Sequence, residues 1–270
     1  METTQIVLLA LVQGITEFLP ISSSGHLILT PLLFGYELQS LAFDVAVHLG
    51  TLGAVITYFR RELAQMAIAM ADAVSTGNFQ SKEAQLAWMI VLATVPVLLF
   101  GLPLKALLEV LREDDKVIAL VIAGTTIGFG LLLWVADGRS NRARDEYSLG
   151  WRGALLVGLF QALAIIPGTS RSGITITAAL LLGLTRRAAS RFSFLLAIPT
   201  ILMAGGLEAL ELVQSKEPID WFPLVLGASL SFLFAYLTIH FFLKFIEKIS
   251  MLPFVLYRFL LGIVIVLLVL

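Results

Sequence analysis

Arg171 stands in the stretch PGTSRSGIT, residues 167–175, among Thr169, Ser170, Ser172 and Thr175, with Gly168 and Gly173 close on either side. A guanidinium is planar and permanently charged, and its fork of N–H donors matches phosphate or carboxylate oxygens two at a time. Short hydroxyls beside it add donors, and glycines permit the tight backbone that aims peptide N–H groups at the same point. This is the chemistry of an anion clamp. A second group lies in QGITEFLPISSSGH, residues 13–26. Gln13 and Glu17 are four apart and share one helical face; Glu17 is the only acid between Glu2 and Glu37. The carboxylate can hold a divalent cation, accept a proton or balance Arg171. Ser22, Ser23 and Ser24 with His26 are the parts of an activated nucleophile or a general acid–base pair.

Both stretches interrupt an otherwise apolar chain. Of 270 residues, 59 % are hydrophobic and 14 % charged, with a mean hydropathy of +0.95, against roughly 25 % charged in soluble domains. The expectation is one integral membrane domain over 1–270. No cysteine is present, which excludes disulfides and thiol chemistry. A net charge of −1 without a Lys/Arg-rich run implies no nucleic-acid partner. The N-terminus lacks a basic region and a small-residue cleavage site, so it does not read as a cleaved signal peptide. Full-length spans are expected at about 41–59, 84–103, 117–136, 190–212, 221–243 and 252–270. Two further apolar segments, about 5–34 and 151–184, are broken by the polar patches and read as pairs of half-length helices.

The broken segments correspond at an offset of 148 residues: Leu11 with Leu159, Gln13 with Gln161, Ser24 with Ser172, Gly25 with Gly173. Three spans follow each, so the chain reads as two repeats, 1–137 and 150–270. If each broken segment enters and leaves on one side, residues 60–83, 137–152, 185–191 and 244–248 share a face carrying twelve Lys and Arg. The other face has Lys105, Arg112, Lys116 and Lys216, and the positive-inside rule makes the first face cytoplasmic. The predicted fold is therefore all-α: six transmembrane helices plus two re-entrant helical hairpins in an inverted repeat, their loops meeting near the midplane. A charge there costs at least ~2.5–3.5 kcal/mol, so Arg171 requires a strong partner. The remaining polar residues read as structural. His48 and His240 are expected to be packing residues, and Asp44, Glu208 and Glu211 to sit near span ends. Trp88, Trp134, Trp151 and Trp221 are expected to form an aromatic belt, and Arg258, about a third of the way into the last span, either snorkels to the cytoplasmic side, the favoured reading, or pairs inside the bundle.

QGITEFLPISSSGH and PGTSRSGIT resemble the two signature regions of the bacterial undecaprenyl-pyrophosphate phosphatases linked to bacitracin resistance; SRFSFLLAIP and PFVLYRFLLG extend the likeness along the chain. The resemblance implies hydrolysis of the C55 lipid pyrophosphate in the bacterial inner membrane, at a site opening to the outer face, supported by Mg²⁺ or Ca²⁺. It places the first motif on Gln13 and Glu17 as metal ligands, the serine and histidine on Ser23 and His26, and phosphate binding on Ser170, Arg171, Ser172 and Thr175. Beside these, Ser22, Ser24, Thr169 and Gly173 are expected from their place in the two stretches to complete the phosphate pocket. Position 13 is Gln where many members carry a second acid, so Glu17 would share a cation mainly with substrate oxygens and water. Serine attack, a phospho-histidine and direct water attack all remain open, with Ser23 the leading candidate. A polyprenyl-phosphate flippase or anion transporter using the same pocket is the competing reading, and a homodimer stays open as an assembly.

Overall fold

A computed structural model describes residues 1–111, 115–139, 143–215 and 220–269. Arg112, Arg142 and Lys216, counted above on the two charged faces, lie outside the described residues, as do the side chains of Lys105 and Glu211. Apart from one bridge between Arg144 and Leu184, the regular elements described are helical. They are α1 (Thr3–Thr16), α2 (Ser23–Phe34), α3 (Leu41–Tyr58), α4 (Arg60–Thr76), α5 (Lys82–Leu111) and α6 (Asp115–Arg139). After a short 3-10 turn come α7 (Gly150–Ala162), α8 (Arg171–Leu181), α9 (Arg186–Ser215), α10 (Trp221–Phe245) and α11 (Leu252–Val269).

Five of these, α3, α5, α6, α9 and α10, are long and apolar enough to cross a bilayer. The chain is a multi-pass, all-helical membrane protein. The apolar run of α11, Leu252–Leu267, is shorter than the others; at 1.5 Å per residue it covers about 24 Å of a hydrocarbon core roughly 30 Å thick. By the same rise α1, α2 and α8 reach only about 21, 18 and 17 Å, so none of them crosses alone. α4 is an element the sequence reading did not assign: its charged start and alanine-rich body give no span, and Met66 and Ala73 turn inward while Ile68 and Val74 stay exposed.

Close packing fixes where the short helices sit. α1 lies along α10, and a Cβ on Gly14 would stand 2.6 Å from Phe234 Cβ, so only glycine allows this approach. α7 packs on α5, while α8 packs on α6 and α9. Phe18, just after α1, meets Phe194 of α9 edge-on at 5.2 Å, which ties the first broken segment to the core of the second half. At the arginine-rich end Arg186 grips Asp137 through two bonds of 2.6 and 2.8 Å, and Arg191 joins Glu146 at 2.5 Å and Glu62 at 2.8 Å. Those pairs lock α4, α6, α9 and the segment before α7 together.

Both breaks share one backbone feature. Ser22 (φ 72°) and Ser170 (φ 68°) are the only non-glycine residues with positive φ among those described, and each immediately precedes a half-helix. Such conformations cost about 1–3 kcal/mol each and persist where the surroundings over-determine them. The two serines are 148 residues apart.

Candidate active site

The first broken segment delivers Glu17 at the end of α1, where its backbone N–H still donates to Gln13 O and the residue is 8 % exposed. One carboxylate oxygen, Oε1, takes Arg171 Nη2 at 2.7 Å. The other, Oε2, accepts Gln13 Nε2 at 2.9 Å and Ser23 Oγ at 2.7 Å. The i, i+4 spacing of Gln13 and Glu17 thus orients the acid, and the acid orients a serine. Arg171 opens α8, and its guanidinium lies 5.9 Å over the Phe18 ring. Buried charges survive when paired and hydrogen-bonded, which this quartet achieves.

Glu17, Ser23 and Arg171 face a cavity of about 380 Å³, with Gln13 fully buried behind them. Glu17, Ser22, Ser23, Ser24, Ser170 and Arg171 line its polar side, so the structure brings both broken segments into one space. Much of the remaining lining is apolar, with Val97 from α5, Ile165 and Ile166 after α7, and Ile201 and Ala204 from α9, interrupted by Gln161, Thr200 and Glu208.

Other residues singled out by sequence lie outside the lining. Ser172 Oγ donates to Leu19 O at 2.7 Å, stapling α8 to the first loop. Thr175 shares a 2.7 Å hydroxyl contact with Ser193 of α9 and also reaches Arg171 O at 2.9 Å. Thr169 is fully buried. Gly173 N–H is capped by Ser170 Oγ at 3.1 Å, and a Cβ on Gly173 would crowd Arg258 Nη1 at 3.0 Å.

The two histidines exchange their expected places. His26 Nδ1 donates to Ser22 O at 2.6 Å and Nε2 meets the Tyr257 hydroxyl, with the rings stacked at 5.5 Å. It holds the loop rather than lining the cavity. His48, expected to be a packing residue, lines the cavity with Nε2 3.8 Å from Glu17 Oε2, while its Nδ1 donates to Asp44 O at 2.7 Å. Glu208, expected only near a span end, also lines the cavity.

Arg258 is the larger correction. It does not snorkel: it is 1 % exposed, and its five N–H groups donate to five backbone carbonyls. Nε reaches Thr126 O at 2.9 Å; Nη1 reaches Pro20 O at 3.3 Å and Thr169 O at 3.0 Å; Nη2 reaches Thr125 O at 3.3 Å and Gly168 O at 3.1 Å. One side chain therefore holds both broken segments to α6. With Thr169 C=O fixed on Arg258, the trans peptide turns the Ser170 N–H the other way. A sequence signal existed: twelve basic residues on one face and four on the other leave two of eighteen, Arg171 and Arg258.

No cluster of three or more His, Cys, Asp or Glu that could hold a metal occurs among the described residues. Glu17 offers carboxylate oxygens, and Gln13 Oε1 is buried without a hydrogen-bond partner. Two such oxygens fit a hard cation that draws its other ligands from phosphate and water. They do not make an all-protein cage.

Fold and site together define a multi-pass membrane protein with a cavity lined by a buried arginine–glutamate pair, serine hydroxyls and apolar side chains. The family model described as bacitracin resistance protein BacA matches residues 6–264, and the chain belongs to that family. It is 57 % identical over 263 residues to an undecaprenyl-diphosphatase of Nitrosococcus oceani, covering 97 % of both chains. It is 52 % identical over 271 residues to undecaprenyl-diphosphatase 2 of Stutzerimonas stutzeri, covering 99 % of this chain and 98 % of that one.

Proposed function

We propose that this protein is an undecaprenyl-diphosphatase, hydrolysing the C55 lipid diphosphate to undecaprenyl phosphate and phosphate. That reaction recycles the lipid carrier for peptidoglycan synthesis and gives bacitracin resistance. The observation that carries the reading is the Ser23–Glu17–Arg171 chain of hydrogen bonds at a cavity that apolar side chains of α5, α9 and the stretch after α7 also line. Arg171 and the N–H groups opening α8 hold the terminal phosphoryl group and stabilise its charge in transfer. Ser23 Oγ attacks that phosphorus as the bridging P–O bond breaks, Glu17 accepts the serine proton, and undecaprenyl phosphate leaves. Water then hydrolyses the phosphoserine, releasing phosphate and restoring the hydroxyl. Glu17 and Gln13 would hold Mg²⁺ or Ca²⁺, which when bound supplies neutralisation of diphosphate charge.

In this reading α3, α5, α6, α9, α10 and α11 are six crossing helices of one domain. α1–α2 and α7–α8 are re-entrant hairpins of inverted repeats, 1–137 and 150–270, and the matching strain at Ser22 and Ser170 supports that relation. The protein lies in the inner membrane with its arginine-rich face cytoplasmic. Glu208 on the cavity wall stands 22 residues beyond Arg186 on α9, about 33 Å along the helix, which supports an opening to the periplasmic face.

Purified protein in detergent, given undecaprenyl diphosphate, should release inorganic phosphate, and a divalent-ion chelator should suppress that release. Lipid translocation in vesicles without phosphate release would overturn the enzyme in favour of a flippase. In the same assay Ser23→Ala should lower the rate about a hundredfold or more, some 2.7 kcal/mol of barrier. A residual rate above about a tenth of wild type, 1.4 kcal/mol or less, would transfer the attack to water or histidine.

A further inference from the structure

Gln161 stands 148 residues after Gln13, yet the two amides are used differently. Gln13 Nε2 donates to Glu17 Oε2. Gln161, 1 % exposed, meets Thr200 Oγ1 through its Oε1 at 3.2 Å, a contact that shares the hydroxyl proton with Leu196 O at 2.8 Å, and its Nε2 has no partner among the described residues. Leaving such a donor unmatched costs about 1–3 kcal/mol, a cost that an acceptor at this place returns. Gln161 and Thr200 both line the cavity that holds Glu17 and Arg171. Each also adjoins apolar lining on its own stretch of chain: Ala164 and Ile165 follow Gln161, and Ile201 and Ala204 follow Thr200. The amide therefore marks the border between the charged end of the cavity and its hydrocarbon wall. On a lipid diphosphate that border falls at the phosphate joined to the prenyl chain.

We propose that Gln161, steadied by Thr200, forms a second phosphate subsite that takes the lipid-linked phosphate while Arg171 takes the terminal one; this assignment rests on the diphosphatase reading above. A neutral amide suits the task. Charge-assisted hydrogen bonds are roughly twice as strong as neutral ones, so a second arginine here would retain the monophosphate product that must leave. The amide gives direction and modest affinity, and the apolar wall supplies the rest.

The test uses the full chain in detergent and reads binding, so it does not depend on turnover. Farnesyl monophosphate probes the lipid-side subsite in titration calorimetry, and inorganic phosphate probes the terminal one. Gln161→Leu keeps approximate bulk and removes the donors. It should weaken farnesyl monophosphate about tenfold, or 1.4 kcal/mol, and leave inorganic phosphate within about twofold. Thr200→Val, which keeps the amide but frees it to turn, should weaken the monophosphate by a smaller factor and also spare inorganic phosphate. Unchanged monophosphate affinity in Gln161→Leu would overturn the subsite, as would equal weakening of both probes in both variants. Wild-type protein that shows the expected binding pattern but releases no phosphate from undecaprenyl diphosphate would sink the hydrolase reading and leave the subsite standing.

Discussion

Replacing Arg171 by alanine is expected to lower phosphate release by about a thousandfold or more, roughly 4 kcal/mol of transition-state stabilisation, as for an arginine that contacts a transferring phosphoryl group. The same change harms the fold. Glu17, 8 % exposed, loses the partner 2.7 Å from its Oε1, and breaking a buried pair from one side costs about 3–5 kcal/mol. The two effects separate in a double variant. Arg171→Met with Glu17→Gln removes both charges at once, so thermal unfolding in detergent should return towards wild type while phosphate release stays lost. Arg171→Lys keeps the charge without the planar fork and should fall between, about ten- to a hundredfold down. Phosphate release by Arg171→Ala within about tenfold of wild type, under 1.4 kcal/mol, would remove the phosphate clamp from the mechanism.

The site's polar half was legible because a membrane makes its exceptions conspicuous. Irregular, hydroxyl-rich backbone survives at bilayer depth only where protein or a wet cavity satisfies it, so the two broken segments had to meet something, and they meet each other. The four-residue step from Gln13 to Glu17 likewise became a 2.9 Å bond. What could not be read was whatever depends on a partner without a residue-type signature. Arg258 binds only carbonyls, which every residue carries, so a lone arginine in FVLYRFLL looks like one stretching towards water. His48 is satisfied by Asp44 O in its own helix, as an ordinary helical histidine is; its second nitrogen lies 3.8 Å from Glu17, 31 positions earlier in the chain. α4 was hidden for a different reason. Its balanced composition gives neither a span nor a strong turn signal, and its helicity becomes plain only where Met66 and Ala73 find the core.

Arg258→Met is the second large effect expected, and it acts without any contact to the phosphate. The substitution strands the carbonyls of Pro20 and Thr169; Gly168 O keeps a 3.2 Å contact from Thr126 Oγ1, and the Thr125 and Thr126 carbonyls, inside α6, lose their second partner but keep the helical one. An unsatisfied buried acceptor costs about 1–3 kcal/mol, so even with partial relaxation the loss should be several kcal/mol and the unfolding midpoint in detergent should drop clearly. Activity should fall further than stability explains. Without Arg258 the Thr169 carbonyl loses the 3.0 Å bond that orients it, and the Ser170 N–H that opens α8 is held less firmly for the phosphate. Asp137→Asn supplies the control, because it weakens the Arg186 clamp at the arginine-rich end of the molecule, away from the cavity lining. Compared below both unfolding midpoints, Arg258→Met should retain about a hundredth of wild-type phosphate release or less, the loss typical of one misplaced oxyanion donor, while Asp137→Asn keeps most of it. Arg258→Lys brings three donors from a single point to carbonyls spread over α6 and two loops, so it should recover the charge but only part of the activity. Equal activity losses in Arg258→Met and Asp137→Asn at matched stability would make Arg258 a fold residue only, with the orientation of the loop amides set by the strained serines themselves.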